Sequence, residues 1–401
     1  MIQEDGIEIP SFLFYSNYIM ADLIFKISPN IVLGSYTLTR LGQYVRAWGS
    51  KFMIILDPIL KDFNLAEKIT QPLAERKIDF FIYDNFNDGA TTKDIENAII
   101  LAKQSHIHGI IAAGGEKAIN AACAVASLYN ENRSIYDFID GAVPATNSIP
   151  LICLPSTSRA PYAFTNSIPL IDSRSHQVKQ LKTQSNICRL MMWDPNLSLT
   201  LTENQTASLS LETLCLACEA YLSQKSSFFS DMFCEKAFEL LSYGINGKKS
   251  LDITTPQELL LEQGGCMASL AASTSSAGIA SILSLAINAR YKISRSLVAS
   301  ILFPYMIEEV AKFKADKIEK IAKKFGAADE NLSREEAVQT FVENIRQKIA
   351  KANLPVRLKD LNLSMEQLAI SAEDAGQLDI MTTLPRSMTT DELFELMKQA
   401  Y

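Results

Sequence analysis

Histidine is nearly missing from this chain of 401 residues: there are 3, at His106, His108 and His176, and none follows residue 176. Everything beyond that point is without an imidazole for metal ligation or proton transfer. Cysteine is sparse and unpaired in number, 7 scattered residues, which excludes a disulfide framework and fits reduced thiols in a cytoplasmic protein. An excess of basic charge is lacking as well. Lys and Arg total 38 against 45 Asp and Glu, for a net charge of −7, so neither nucleic acid nor an anionic membrane is expected as a main partner. The opening MIQEDGIEIP carries acids instead of a basic segment followed by an apolar run, and no signal peptide is expected. Charge is absent from Gln263 to Ala289, but Ser269, Ser273, Thr274, Ser275 and Ser276 interrupt that run. A membrane span needs roughly 18 or more consecutive apolar residues, so a buried helix is expected there. No internal repeat is evident.

What the chain does have is core. Hydrophobic residues make up 48% of it, enough at this length for two domains. Phe12, Phe14, Tyr15 and Tyr18 lie in an irregular opening stretch and are expected to pack on the body. A rhythm follows. Short apolar runs at 30–33, 51–56, 79–83 and 109–113 alternate with helical spacing at 36–48, 64–76, 92–104 and from Gly115 onward. Further strands are expected at 150–154, 168–171 and 189–193. This alternation predicts a parallel, Rossmann-like α/β sheet. Asp57 and Gly114–Gly115 would lie at its carboxyl edge, where such sheets bind ligands. After Pro195 nearly everything has helical spacing. Helix starts are read at Thr255-Pro256-Gln257-Glu258 and at the capping boxes Ser333/Glu336, Ser364/Gln367 and Thr389/Glu392. The expected division is an α/β domain over residues 1–200 and an all-α domain over 201–401.

Three features carry chemistry. The stretch 110–126, IIAAGGEKAINAACAVA, puts two glycines where a strand meets a helix. That fits either a backbone seat for a pyrophosphate or an ordinary tight turn. Cys215 and Cys218, with Glu212 and Cys266, fit either a thiolate metal site or plain packing. His106 and His108 fall at the amino end of a strand, away from the ligand edge.

Taken together, the landmarks resemble the iron-containing alcohol dehydrogenase family of the dehydroquinate-synthase-like superfamily. They are the strand ending at Asp57, the Gly114–Gly115 turn, LPSTSRAPYAFTNS, WDPNLSLTLTENQTA, the helix LETLCLACEAYLS, ILFPYMIEE and the tail LPRSMTTDELFELMKQAY. The resemblance covers roughly residues 30 to 401 and implies an NAD(P) cofactor, a divalent metal that polarises an alcohol or aldehyde oxygen, and a homodimer. It also implies cofactor contacts at Asp57, Gly114, Gly115, Lys117, Ser156 and Thr157, although Asp57 beside Pro58 fits a helix cap equally well.

The chemical positions depart from the family pattern. Glu116 stands where a third glycine is expected, placing a side chain and a negative charge at the phosphate turn. Arg159 stands at a glycine of the second cofactor motif. The four metal positions fall on Glu212, Leu216, Ser281 (or Leu283) and Arg295, and a guanidinium has no lone pair for a metal. No metal is therefore expected, and Glu212 and Arg295 are expected to face each other as an ion pair. The leading expectation is a ligand-binding or regulatory protein of this fold whose metal-dependent hydride transfer is lost or severely impaired. Two others stand beside it: an active NAD(P)-dependent oxidoreductase with an altered site, and an interaction protein with no small-molecule site.

Overall fold

The computed structural model describes residues 28–86, 89–246 and 255–401; the four aromatic side chains between Phe12 and Tyr18 lie outside them. Strand β2 (Lys51–Leu56) shows why a sheet forms. Phe52, Ile54 and Leu56 enter one hydrophobic cluster, while Met53 and Ile55 enter another on the opposite face. A strand apolar on both faces has to be covered on both, which parallel pairing with crossover helices achieves.

Its partners are β1 (Asn30–Leu33), β3 (Asp79–Tyr83), β4 (Gly109–Gly114), β5 (Leu151–Pro155) and β8 (Cys188–Trp193), in the order β1-β8-β5-β4-β2-β3, all parallel. From β2 the chain goes outward to β3 and then returns past β2 to β4. The order therefore reverses between β2 and β4, and a crevice opens beyond their carboxyl ends. The helices of this half are α1 (Leu41–Val45), α2 (Pro58–Asp62), α3 (Ala66–Ala74), α4 (Thr92–Gln104), α5 (Glu116–Leu128) and α6 (Ile135–Ile139). The run expected as a lone strand at 168–171 is half of a separate antiparallel hairpin, β6 (Ser167–Ile171) with β7 (Val178–Lys182). Its alternating, partly polar pattern in β7 hid it from a search for buried runs.

From Glu203 onward the described residues form α-helices and short 3-10 turns: α7 (Glu203–Leu222), α8 (Phe228–Asn246), α9 (Gln257–Thr274), α10 (Ile279–Tyr291), α11 (Arg295–Lys324), α12 (Arg334–Lys351), α13 (Met365–Gly376) and α14 (Thr390–Gln399). The three capping boxes expected at Ser333, Ser364 and Thr389 are formed, and a fourth at Thr202 starts α7. At α9 the expectation fails: the helix begins after Pro256 with no side-chain cap, so Thr255 does not serve as one. The uncharged stretch 263–289 is α9 and α10, two largely buried helices bent by 96°. No single helix among the described residues is long and apolar enough to cross a membrane, although these two together have the length and composition to do so. One face of the sheet and the helical half share a continuous core, with Trp193 and Leu214 in the same cluster.

At the seam between the halves, the Glu262 side chain of α9 is buried, with Ser198 Oγ donating to its Oε1 at 3.1 Å and its Oε2 unpaired. Burial, then the nearby Asp194 against the opposing Ser198 hydrogen bond, pushes its carboxyl up to about 8. The folded state therefore holds a proton that the unfolded chain releases near pH 4.5. Stability is full below that value and falls as pH rises toward 8. A loss of the order of a few kcal/mol between pH 5 and pH 8.5 is expected from this group, and E262Q removes it. Urea midpoints of both proteins at the two pH values measure the difference.

Candidate functional site

The crevice at the reversal point continues into the helical half as a cleft of about 600 Å³ lined by Asp57, Gly115, Glu116, Lys117, Thr157, Arg159, Glu212 and Arg295, among others. Of the residues assigned from sequence, Asp57, Gly115, Lys117, Thr157, Glu212 and Arg295 thus come together. Gly114, Ser156, Leu216 and Ser281 are not part of its lining.

The turn after β4 has two glycines with different reasons to be there. Gly114 has φ +145°, and a Cβ on it would stand 2.4 Å from the Cβ of Asp57. Packing between neighbouring strand ends fixes it without any ligand. Gly115 has neither constraint: a Cβ there would meet nothing closer than Thr157 Cγ2 at 3.8 Å. Gly115 precedes the first turn of α5, which has no side-chain cap, and a helix start of this kind is a natural anion seat. Asp57 stands at the start of α2, yet its side chain does not cap that helix. Its Oδ1 instead faces Lys117 Nζ at 3.7 Å. Ser156 is buried, its amide bonded to Gly114 O at 3.0 Å.

Glu116 is the first residue of α5 and Arg295 the first of α11, so two helix N-termini meet at the cleft. Arg159 comes from the loop after β5 and Glu212 from the middle of α7. Together they form one ring of charges. Arg159 donates through Nη1 to Glu116 Oε1 and pairs through Nη2 with Glu212 Oε1. Arg295 donates through Nη1 to Glu116 Oε2 and places Nη2 3.8 Å from Glu212 Oε1. Glu212 and Arg295 do face each other, but each has a closer partner on the opposite half of the molecule. Both guanidiniums are held above their ordinary pKa; burial opposes the charge, and the carboxylates, Glu116 foremost, more than offset it. Glu212 Oε2, Arg159 Nε and Arg295 Nε are buried without a hydrogen-bond partner.

The loop carrying Arg159 is pinned from several sides. Ala160 N donates to Ser269 Oγ at 3.0 Å, Trp193 Nε1 donates to Thr157 O at 3.1 Å, and Ser158 Oγ lies 3.2 Å from Thr213 Oγ1. Gly265 of α9 lets this contact exist: a Cβ there would fall 1.8 Å from Ser158 O. Arg159 is therefore aimed by packing before any ligand arrives.

The other two positions that the resemblance assigns to a metal serve different ends. Leu216 is buried in the core. Ser281 donates through its amide and its hydroxyl to the two oxygens of Glu219, at 3.0 and 2.5 Å. The donor set around Glu212 is thus an alkyl group and two cations, which does not fit a divalent ion. Cys215, Cys218 and Cys266 are buried, and burial raises their thiols, Cys266 to about 12. Among the described residues no group of three or more His, Cys, Asp and Glu side chains is placed to hold a metal ion. His108 accepts from Ser50 N through Nδ1, at the amino end of β4.

Arg159 and Glu116 are the members of the ring that no ligand-site motif identified. The signal was there: both break a glycine position near the cofactor turn, and their charges are opposite.

Comparison with known proteins bears on the family and the fold. Family models described as iron-containing alcohol dehydrogenase and as the C-terminal part of the Fe-containing alcohol dehydrogenase family match residues 28–195 and 206–401. The chain is 23% identical over 352 residues to long-chain-alcohol dehydrogenase 1 of Geobacillus thermodenitrificans, covering 86% of this chain and 88% of that protein. It is also 23% identical over 370 residues to the NADPH-dependent butanol dehydrogenase of Clostridium saccharobutylicum, covering 90% and 94%. Among solved structures, a 1,3-propanediol oxidoreductase has the same fold, with a TM-score of 0.87 at 17% identity, covering 95% of this chain and 100% of the other.

Proposed function

The chain belongs to the iron-containing alcohol dehydrogenase family, and within it we propose a member whose metal-dependent alcohol or aldehyde oxidoreduction is lost, its cleft serving to bind a ligand or regulate a partner. The observation that carries this reading is the ring of Glu116, Arg159, Glu212 and Arg295. In the family pattern a metal would act there as a Lewis acid on the substrate oxygen. Here two guanidiniums flank the remaining carboxylate, and their mutual neutralisation is complete without an ion. An Arg donates hydrogen bonds but cannot take a metal's coordination role.

The NAD(P) of relatives such as the butanol dehydrogenase fits this turn only in part. Asp57, Thr157 and the open face of Gly115 suit a dinucleotide. The ionic side chain of Glu116 at the helix start opposes its pyrophosphate. We therefore expect NADH and NADPH to bind weakly, and we carry over the homodimer as part of the same reading.

The decisive measurement is metal content after expression with added Fe²⁺ or Zn²⁺, together with turnover of short alcohols and aldehydes with NAD(P). The expected result is a metal content far below one ion per chain, no turnover above the uncatalysed rate, and calorimetric heats with NADH no larger than those of dilution at micromolar protein. One ion per chain, lost on changing Glu212 to Ala, would overturn the proposal in favour of an active enzyme with an altered site.

A further inference from the structure

We propose that Glu116 is a built-in occupant of an anion seat: its carboxylate fills the place of a phosphate- or pyrophosphate-class ligand and holds the cleft closed to one. This rests on the reading of the cleft as a ligand site and narrows it to ligands without a phosphate group, but it is tested by anion binding and not by metal content or turnover.

Four features define the seat. The N-terminus of α5, a helix of 13 residues with no side-chain cap, borders the cleft and presents the positive end of its dipole. Gly115 leaves free the volume that a Cβ would take, with nothing closer than 3.8 Å to that position, so its glycine identity is not needed for packing. Arg159 and Arg295 converge on the same point from the two halves of the molecule, and the second is itself at a helix N-terminus. Each keeps a buried Nε–H with no acceptor, a donor left over once one terminal nitrogen of each has gone to Glu116 and the other faces Glu212. Two helix ends and two guanidiniums are balanced by two carboxylates only while Glu116 is in place, so its removal leaves a site that favours an anion.

Glu116 uses that capacity from within. Its two oxygens go to different arginines, Oε1 to Arg159 and Oε2 to Arg295, the bridging pattern that two oxygens of a phosphate would make. Because Arg159 belongs to the α/β half and Arg295 to the helical half, the contact of Glu116 with Arg295 and that of Glu212 with Arg159 both cross the cleft. An intramolecular carboxylate has a large effective concentration. A free anion in solution therefore competes poorly while Glu116 is in place.

The test is titration calorimetry with inorganic pyrophosphate at low ionic strength, without divalent metal, on the wild-type chain, E116A and E116A/R295A. The wild-type chain is expected to give no saturable binding at millimolar anion. E116A should bind at least about ten-fold more tightly, and E116A/R295A should lose most of that gain. Should E116A prove unfolded by circular dichroism, E116Q keeps the side-chain volume while removing the charge, and a gain of at least about three-fold is expected. Equal affinity in wild type and the folded Glu116 variant overturns the proposal. So does tight binding to the wild-type chain, or a gain that survives loss of Arg295. A metal found in the wild-type protein would sink the proposed function and leave this outcome to be read separately.

Discussion

Arg159→Ala should lower the stability of the folded chain by about 3–5 kcal/mol, the range found when one partner of a buried ion pair is removed. Arg159 is 5% exposed and is in closest contact with both Glu116 and Glu212. Without it, Arg295 alone faces two carboxylates, 3.8 Å from one of them. Glu212 already has one buried oxygen without a partner, so losing Arg159 strands the second unless Arg295 moves closer. Relaxation is restricted as well, because the loop is clamped by Ser269, Thr213 and the close approach of Gly265. Arg159→Lys keeps the charge but has one donor group where the guanidinium has two arms, and should fall between the two. Removing charge in balance, as in R159M/E212L, should recover much of the loss, since an apolar pair needs no desolvated partner. Urea unfolding with an unchanged m-value gives these differences directly. A loss in R159A of less than about 1 kcal/mol, typical of a solvated surface pair, would mean that the ring is wet and its members are not interdependent.

The fold was largely legible because its cause is local. Strands such as β2 and β4 are continuous apolar runs, and helices such as α12 and α14 carry their start signals within four residues. Where those signals are weak the reading fails: β7 is half polar, and Pro256 hid the absence of a cap at α9. The site was legible only as a set of departures. Sequence reading brought Glu212 and Arg295 together because both sit on one family pattern. It could not pair Glu116 with Arg295, 179 residues apart, because that contact depends on how the two halves close. Nor could it orient Ser281. A serine among small apolar residues at the start of a helix gives no direction, and its partner Glu219 is 62 residues away on another helix. Charge complementarity among departures was a usable clue: Glu116 and Arg159 each weaken a cofactor motif, and each supplies what the other needs.

Glu219 carries the second large effect, because it does for the helical half what Glu116 does for the cleft. Its carboxylate sits at the N-terminus of α10 and accepts from the amide and hydroxyl of Ser281, with the amides of Gly278 and Ala280 also directed at it. Burial raises its pKa despite these donors. Gly278 packs closely beside it: a Cβ there would stand 3.0 Å from the Glu219 side chain, which would have to shift to admit it. Glu219→Ala would leave several interior N–H groups without an acceptor and open a void that a methyl cannot fill. A loss of about 2–4 kcal/mol is expected, combining a missing helix cap with stranded buried donors. Ser281→Ala removes a single hydroxyl donor and should cost about 1 kcal/mol. The consequence reaches the cleft, because α10 supplies Asn288, whose Nδ2 donates to Ile293 O at 2.8 Å just before Arg295 begins the next helix. Fraying α10 should therefore loosen Arg295, and E219A should show faster amide exchange at both helix starts. If E219A cost no more than S281A, the carboxylate would be a bystander to a helix that is held by packing alone.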